Sequence, residues 1–262
     1  KRPDSGNANK SMVEEGISQT IRNQKQDEIP ELFAYSQLML AISLSEGRYG
    51  TTHTEAKFWA NWDEELFSEA HFSSIKNAPL AEDDKQIFFA DKPPQVARYF
   101  QELWSEEQLP TDQDRLIVSL LTKERLLEFV RFFILFDKKV EKIAARYQQA
   151  FGIKALLQQL SRVKPDGSRE GGVIWHTTGS GKSFTMVLLC KALLLANELQ
   201  DCRIIVVTDR VDLEKQLAKT FLTGGAFGTE ISSKKKGDEL AKVKTGKQLA
   251  HRIGKGNERI IF

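Results

Sequence analysis

Along this chain the spacing of apolar and polar positions changes several times, and each change predicts an element. Residues 3–10 are small and polar, a loop, and residues 12–24 predict a helix with Ser11 as its N-cap and Glu14 at the third helical position. The run LFAYSQLMLAIS at 32–43 is mostly apolar and fits a buried strand or a short helix. Pro30 before it and Glu46-Gly47 after it suit a strand flanked by turns. Residues 48–62, aromatic and Thr-rich, predict a second strand and turn. A polar stretch with Pro79, Pro93 and Pro94 leads to an amphipathic helix over 95–109.

The polar break at 110–114 is the expected domain boundary, dividing the chain into 1–110 and 111–262. Helices are predicted over about 122–136 and 138–159, followed by a loop at 161–172. Two units then repeat one order of elements. Residues 172–196 read as strand, loop and helix, and 202–221 as strand, turn and helix, with another strand opening at 259–262. Short β-rich runs alternating with helices of ten or more residues predict an α/β fold with a parallel sheet. No repeat of solenoid period occurs.

The most specific chemistry lies at the first of these units. Thr177, Thr178, Gly179, Ser180, Gly181, Lys182 and Ser183 follow an apolar strand at 172–175 and open a helix. That context is required of a phosphate loop. Small residues let backbone N–H groups curl around phosphate oxygens, and the helix N-terminus adds a favourable dipole. In this role Lys182 reaches the β- and γ-phosphates of ATP, and Ser183 supplies a hydroxyl to Mg²⁺. The first glycine of the general pattern is replaced by His176, whose expected role is structural, at the mouth of the loop.

Composition narrows the class. The chain has 262 residues, 40% apolar and 28% charged, enough for a substantial core. The richest apolar run, 187–196, is broken by Lys191, so no membrane span is expected. Two cysteines, Cys190 and Cys202, make neither a disulfide framework nor a four-ligand zinc site, and both are expected to be structural. A cytoplasmic protein is expected. Net charge is +2, but residues 1–150 carry 19 basic against 25 acidic groups and residues 151–262 carry 19 against 11. The basic excess, densest at Lys234, Lys235 and Lys236, suits either a polyanionic partner or a solvated Lys/Gly insertion. Trp59 and Trp62 are expected to pack rather than to stack bases.

Several of these segments resemble one family, the motor-and-nuclease R subunit of type I restriction–modification enzymes. GGVIWHTTGSGKS is similar to its helicase motif I, and CRIIVVTDRVDLEKQL to its motif Ia, with Asp209 and Arg210 in place. ARYQQAFGIKAL resembles the segment whose Gln recognises adenine; Gln149 fits it best and Gln148 less well. Ile29-Pro30-Glu31-Leu32-Phe33 and Arg48-Tyr49-Gly50-Thr51 look like the region after the nuclease core. The resemblance implies the C-terminal part of a PD-(D/E)xK nuclease-like domain followed by an incomplete RecA-like P-loop domain. It implies Lys1 as the nuclease lysine, Gln19 as the Gln of the following Q-x-x-x-Y helix (here with Asn23 in place of Tyr), and a turn at Asp209-Arg210 leaning on DNA. ATP and Mg²⁺ are the implied cofactors; duplex DNA and the methyltransferase and specificity subunits are the implied partners.

The chain opens on Lys1 rather than Met, so the start is expected upstream, with the acidic nuclease ligands. No Asp-Glu-x-His box occurs in the 262 residues. This piece alone is therefore expected to bind ATP weakly if at all, and neither to hydrolyse it nor to cut DNA. Two other classes share the loop. A metabolic P-loop NTPase or kinase would hydrolyse ATP indifferently to DNA, and a non-catalytic assembly module would be unchanged by Lys182→Ala.

Overall fold

A computed structural model of the chain describes residues 11–137, 141–199, 202–208, 243–256 and 259–262. Helix α1 (Met12–Asn23) starts as its sequence dictates: the Ser11 hydroxyl accepts from Glu14 N–H, and the Glu14 carboxylate accepts from Ser11 N–H. It buries Val13 and Ile17 against Met39, Ala41 and Trp59, a small core of its own. The apolar run at 32–43 divides in two. Pro30–Phe33 forms a 3-10 turn, and only Met39–Ser43 is a strand (β1), with Met39 and Ala41 turned inward at period two. Strand β2 (Glu46–Gly50) pairs with it antiparallel, Met39 opposite Gly50. Beyond β2 the aromatic segment folds back, and Tyr49 and Ala60 exchange both backbone hydrogen bonds.

Helices α2 (Glu69–Lys76), α3 (Glu82–Phe89) and α4 (Pro94–Trp104) follow. Phe89, Phe100 and Trp104 pack their rings between α3 and α4. Helix α5 (Asp112–Leu121) begins at the polar break, capped by Thr111 and Asp114, and α6 (Lys123–Phe132) follows at once.

Next, the two helices expected over 122–136 and 138–159 are replaced by a different arrangement. Helix α6 stops at Phe132. Ile134–Asp137 (β3) and Glu141–Ala144 (β4) form an antiparallel pair, and the second helix, α7, spans only Tyr147–Ser161. Phe133, Ile134 and Leu135 are all buried. An apolar run buried on every side carries no period, and its aromatic and β-branched content favours strand.

The expected loop at 161–172 is present, turned at Asp166, whose carboxylate accepts from the Ser168 N–H and hydroxyl. Helix α8 (Lys182–Leu195) buries Val187, Leu188, Cys190 and Ala192. Strands β5 (Ile204–Ile205) and β6 (Ile260–Ile261) pair in parallel, with Ile204 opposite Ile260. The strand expected at 172–175 is not assigned: among the described residues it joins no ladder, and Val173 and Trp175 are 94% and 88% exposed. A strand is completed only by its neighbours, so β-prone composition leaves it unformed where no ladder partner stands beside it. Helix α9 (Gly246–Lys255) is capped by Thr245, and its Arg252 and Ile253 carbonyls accept from the Arg203 guanidinium.

The larger core joins both sides of residue 110. Tyr49 of β2 packs with Leu116 and Leu120 of α5, Phe129 of α6, Ile153 of α7 and Leu188 of α8. Tyr49 also donates its hydroxyl to the Ala145 carbonyl at 2.6 Å, tying β2 to the end of the β3–β4 pair. Among the described residues no helix is long and apolar enough to cross a membrane.

Candidate nucleotide-binding site

The loop at 176–183 leaves the extended segment and runs straight into α8. Ser180 closes its turn, donating both its N–H (3.4 Å) and its hydroxyl (2.7 Å) to the Thr177 carbonyl. Gly179 and Gly181 lie at φ +82° and +86°, in the left-handed region that side chains disfavour. Left-handed residues alternating with ordinary ones turn successive N–H groups to one side, the concavity that binds anions. A Cβ at Gly179 would meet nothing within 4 Å among the described residues.

Lys182 is the first residue of α8 and is exposed, while Ser183 behind it is half-buried. Thr177, Thr178 and Gly179 are exposed and Ser180 is half-buried. Together these residues present backbone donors, one ammonium and one hydroxyl around the N-terminus of a helix of 14 residues. That set fits a polyphosphate, and Ser183 offers the hydroxyl that a phosphate-bound Mg²⁺ takes.

Behind the loop stands Gln149, 5% exposed, on the first turn of α7. Its Nε2 donates to the Gly181 carbonyl and to the Thr185 hydroxyl, both at 3.2 Å, and its Oε1 accepts from Arg146 N–H at 2.9 Å. His176 is half-buried, with Nδ1 3.5 Å from the Thr185 hydroxyl. Gln148 is exposed. It lines a cavity of about 460 Å³ with Arg146, Trp175, Thr177 and Ser180. A second cavity, of about 340 Å³, lies against Gly181 and Phe184 and is walled by Tyr49, Phe58, Ile143 and Arg146.

Of the remaining predicted positions, only Gln19 is among the described residues. Gln19 lies on α1, where its amide donates to Glu15 at 2.8 Å. Lys1, Asp209, Arg210 and Lys234–Lys236 lie outside the described residues. Cys190 is buried, which pushes its thiol up to about 12 and makes it inert at neutral pH. The sequence reading missed Thr185 and Arg146. Thr185 carried a signal, as the polar member of a buried face that continues through Leu188 and Ala192 at helical spacing.

Comparison with known proteins now bears on these residues. Residues 1–58 match the family model of the type I restriction enzyme R protein N terminus, and residues 148–262 match that of the SWI2/SNF2 ATPase. The type I restriction enzyme HindI endonuclease subunit of Haemophilus influenzae is 33% identical over 204 residues, which are 76% of this chain and 16% of that protein. Over these stretches the chain is similar to type I restriction enzyme endonuclease subunits. The MjaIXP endonuclease subunit of Methanocaldococcus jannaschii is 30% identical over 202 residues, 75% of this chain and 17% of its own. The chain therefore spans about a sixth of the length of these R-subunit relatives. Gln148, Gln149 and the whole phosphate loop fall in the stretch that matches the ATPase, and Lys1 and Gln19 in the stretch that matches the R protein N terminus.

Proposed function

We propose that this chain is part of a type I restriction enzyme R subunit, in which ATP turnover drives duplex DNA past the complex and a nuclease cuts it remote from the recognition site. The observation that carries this reading is the loop with Gly179 and Gly181 at positive φ, leading into α8, in a chain that matches both the R protein N terminus and an ATPase. Residues 1–110 then belong to the late part of a PD-(D/E)xK nuclease domain, and residues 111–262 to the first RecA-like domain. Lys182 grips the β- and γ-phosphates, Ser183 completes the Mg²⁺ coordination, and Thr177 to Gly181 cradle the phosphates with backbone N–H groups. Lys1 positions the water that attacks DNA, with Gln19 behind it, and Asp209 and Arg210 lean on the duplex backbone. The methyltransferase and specificity subunits supply target choice, and the setting is the cytoplasm of a bacterium or archaeon.

The deciding experiment is ATP hydrolysis by the intact parent subunit in its assembled complex, with and without duplex DNA bearing the unmethylated target. Strong stimulation by DNA, abolished by Lys182→Ala, is expected. Hydrolysis indifferent to DNA would move the assignment to a metabolic NTPase, and hydrolysis indifferent to Lys182→Ala would place turnover elsewhere. The 262-residue chain by itself is expected to show neither ATP turnover nor cleavage.

A further inference from the structure

Residues 78–107 are pinched at a neck. There Gln108 N–H donates to Asn77 Oδ1 at 2.8 Å, and Asn77 Nδ2 donates to the Gln108 carbonyl at 3.0 Å. Helices α3 and α4 stand between these two residues, and no residue from 78 to 107 is buried. A hairpin this short cannot bury a core of its own. Its apolar side chains gather round one ring instead: Phe100 lies 5.8 Å from Phe88, 5.4 Å from Tyr99 and 5.4 Å from Trp104, centroid to centroid. Among the described residues, every ring contact of these four falls inside the hairpin. Phe88, Tyr99 and Trp104 are left 48%, 61% and 40% exposed. Large rings in one exposed cluster are what the centre of a protein interface uses, because they bury much area at little entropic cost.

Charge decides what can cover this cluster. In a chain of net charge +2, residues 78–107 carry seven acidic groups against three basic ones. Two of the three cations are already held within the hairpin, Lys85 by Glu82 at 2.7 Å and Lys92 by Asp91 at 2.8 Å. Asp83, Asp84, Glu102 and Glu106 make no ion pair among the described residues. Asp84 stands one helical turn before Phe88, and Glu102 one turn after Tyr99, so the carboxylates rim the same rings. A nucleic acid would set phosphates against this rim, and a second copy of the chain would set the same carboxylates against themselves. A protein surface that ranges Lys and Arg around apolar side chains meets both features at once.

We propose that the α3–α4 hairpin is a docking surface for a basic protein segment with an apolar face, carried by another subunit of the assembly. Phe88, Tyr99 and Trp104 anchor that segment, and Asp84 and Glu102 pair with its cations. The inference stands on the hairpin alone and is independent of the nucleotide-site reading.

The test uses the intact parent subunit, alone and in its assembled complex, with the photoreactive residue benzoylphenylalanine in place of Tyr99. Irradiation of the complex is expected to join the parent to another subunit, at a stretch where Lys or Arg flanks apolar residues. Raising the salt concentration before irradiation should reduce the yield, because the rim of charges is exposed and screened. Asp84→Lys/Glu102→Lys is expected to weaken binding of that subunit roughly tenfold or more, by setting like charges together. Asp84→Asn/Glu102→Gln should weaken it less and leave an affinity that depends less on salt. Tyr99→Ala should also cost about tenfold, as the loss of a central anchor. All these positions are exposed, so the urea midpoint of each variant should match wild type; if Tyr99→Ala lowers it, the charge variants carry the comparison. Cross-links confined to the parent's own chain, to a second copy of it or to DNA would overturn the proposal. So would the absence of any cross-link, or an affinity unchanged by Asp84→Lys/Glu102→Lys. None of these readouts involves ATP, so a failure here is distinct from a failure of DNA-stimulated, Lys182-dependent turnover.

Discussion

At the scale of single residues, the informative positions are polar groups in apolar places. Lys191 interrupts the apolar run of α8 in the sequence, and in the structure its ammonium donates to the Ile134 carbonyl of β3 at 2.6 Å. Burial lowers it from 10.5 to about 8. The folded protein therefore releases this proton at a lower pH than the unfolded chain does. The cost of burying the charge is full below about pH 8 and shrinks as the pH rises towards 10.5, so this group makes stability rise with pH across that window. Lys191→Met is expected to raise the urea midpoint at pH 7, with the gain fading by pH 10. An equal change at both pH values would show that the lost bond to Ile134, and not the charge, sets the cost. Gln149 makes the same point about legibility. Its position was apparent from the sequence, but the commitment of its amide to Gly181 was not, because the two lie 32 residues apart.

At the scale of elements, local signals fixed the ends of helices better than their extents. Ser11 and Glu14 cap α1 and Thr111 and Asp114 cap α5, because a capping box is satisfied within four residues. The β3–β4 pair lies where two helices are expected, because the apolar run Phe133 to Leu135 is buried without alternation and reads the same in either conformation. One contact between elements is sharp enough to test. Strand β2 lies so close to α5 at Gly47 that a Cβ there would stand 2.8 Å from Leu116 Cδ2 and 3.3 Å from its Cβ. Gly47→Ala is expected to destabilise the protein by about 1–3 kcal/mol through overpacking, measured by denaturant unfolding. A neutral result would mean that α5 can move off the sheet.

For the molecule as a whole, the notable bond is a buried ion pair across residue 110. The Arg125 guanidinium of α6 meets both carboxylate oxygens of Glu64, at 3.2 and 3.3 Å, and the two side chains are 6% and 4% exposed. Trp62, Phe67 and Phe151 stand around the guanidinium, their ring centroids 5.7, 5.2 and 5.5 Å from it. Phe151 belongs to α7, the helix that also carries Gln149, so this cage fastens the early part of the chain to the helix behind the phosphate loop. Arg125→Ala leaves the Glu64 carboxylate buried and unpaired and is expected to cost about 3–5 kcal/mol in unfolding free energy. Arg125→Ala/Glu64→Leu should recover much of that loss. Failure of the double variant to recover would assign the stability to the aromatic packing of Arg125 rather than to its charge.

The amino-acid sequence by itself determined what depends on neighbours along the chain: the caps of α1 and α5, the turn at Asp166, and a glycine-rich loop entering a helix. Its motifs also resembled those of the R subunits, whose N-terminus model matches residues 1–58. Those features follow from backbone geometry and hydrogen bonds within a few residues. Tertiary structure alone decided where strands form and which polar groups spend their hydrogen bonds on each other. Residues 172–175 have strand composition but join no ladder among the described residues, β3 and β4 exist because each pairs the other, and Gln149 and Arg125 owe their surroundings to elements distant in sequence. Pairing and burial are contributed by residues remote along the chain, and no local pattern encodes who those residues will be.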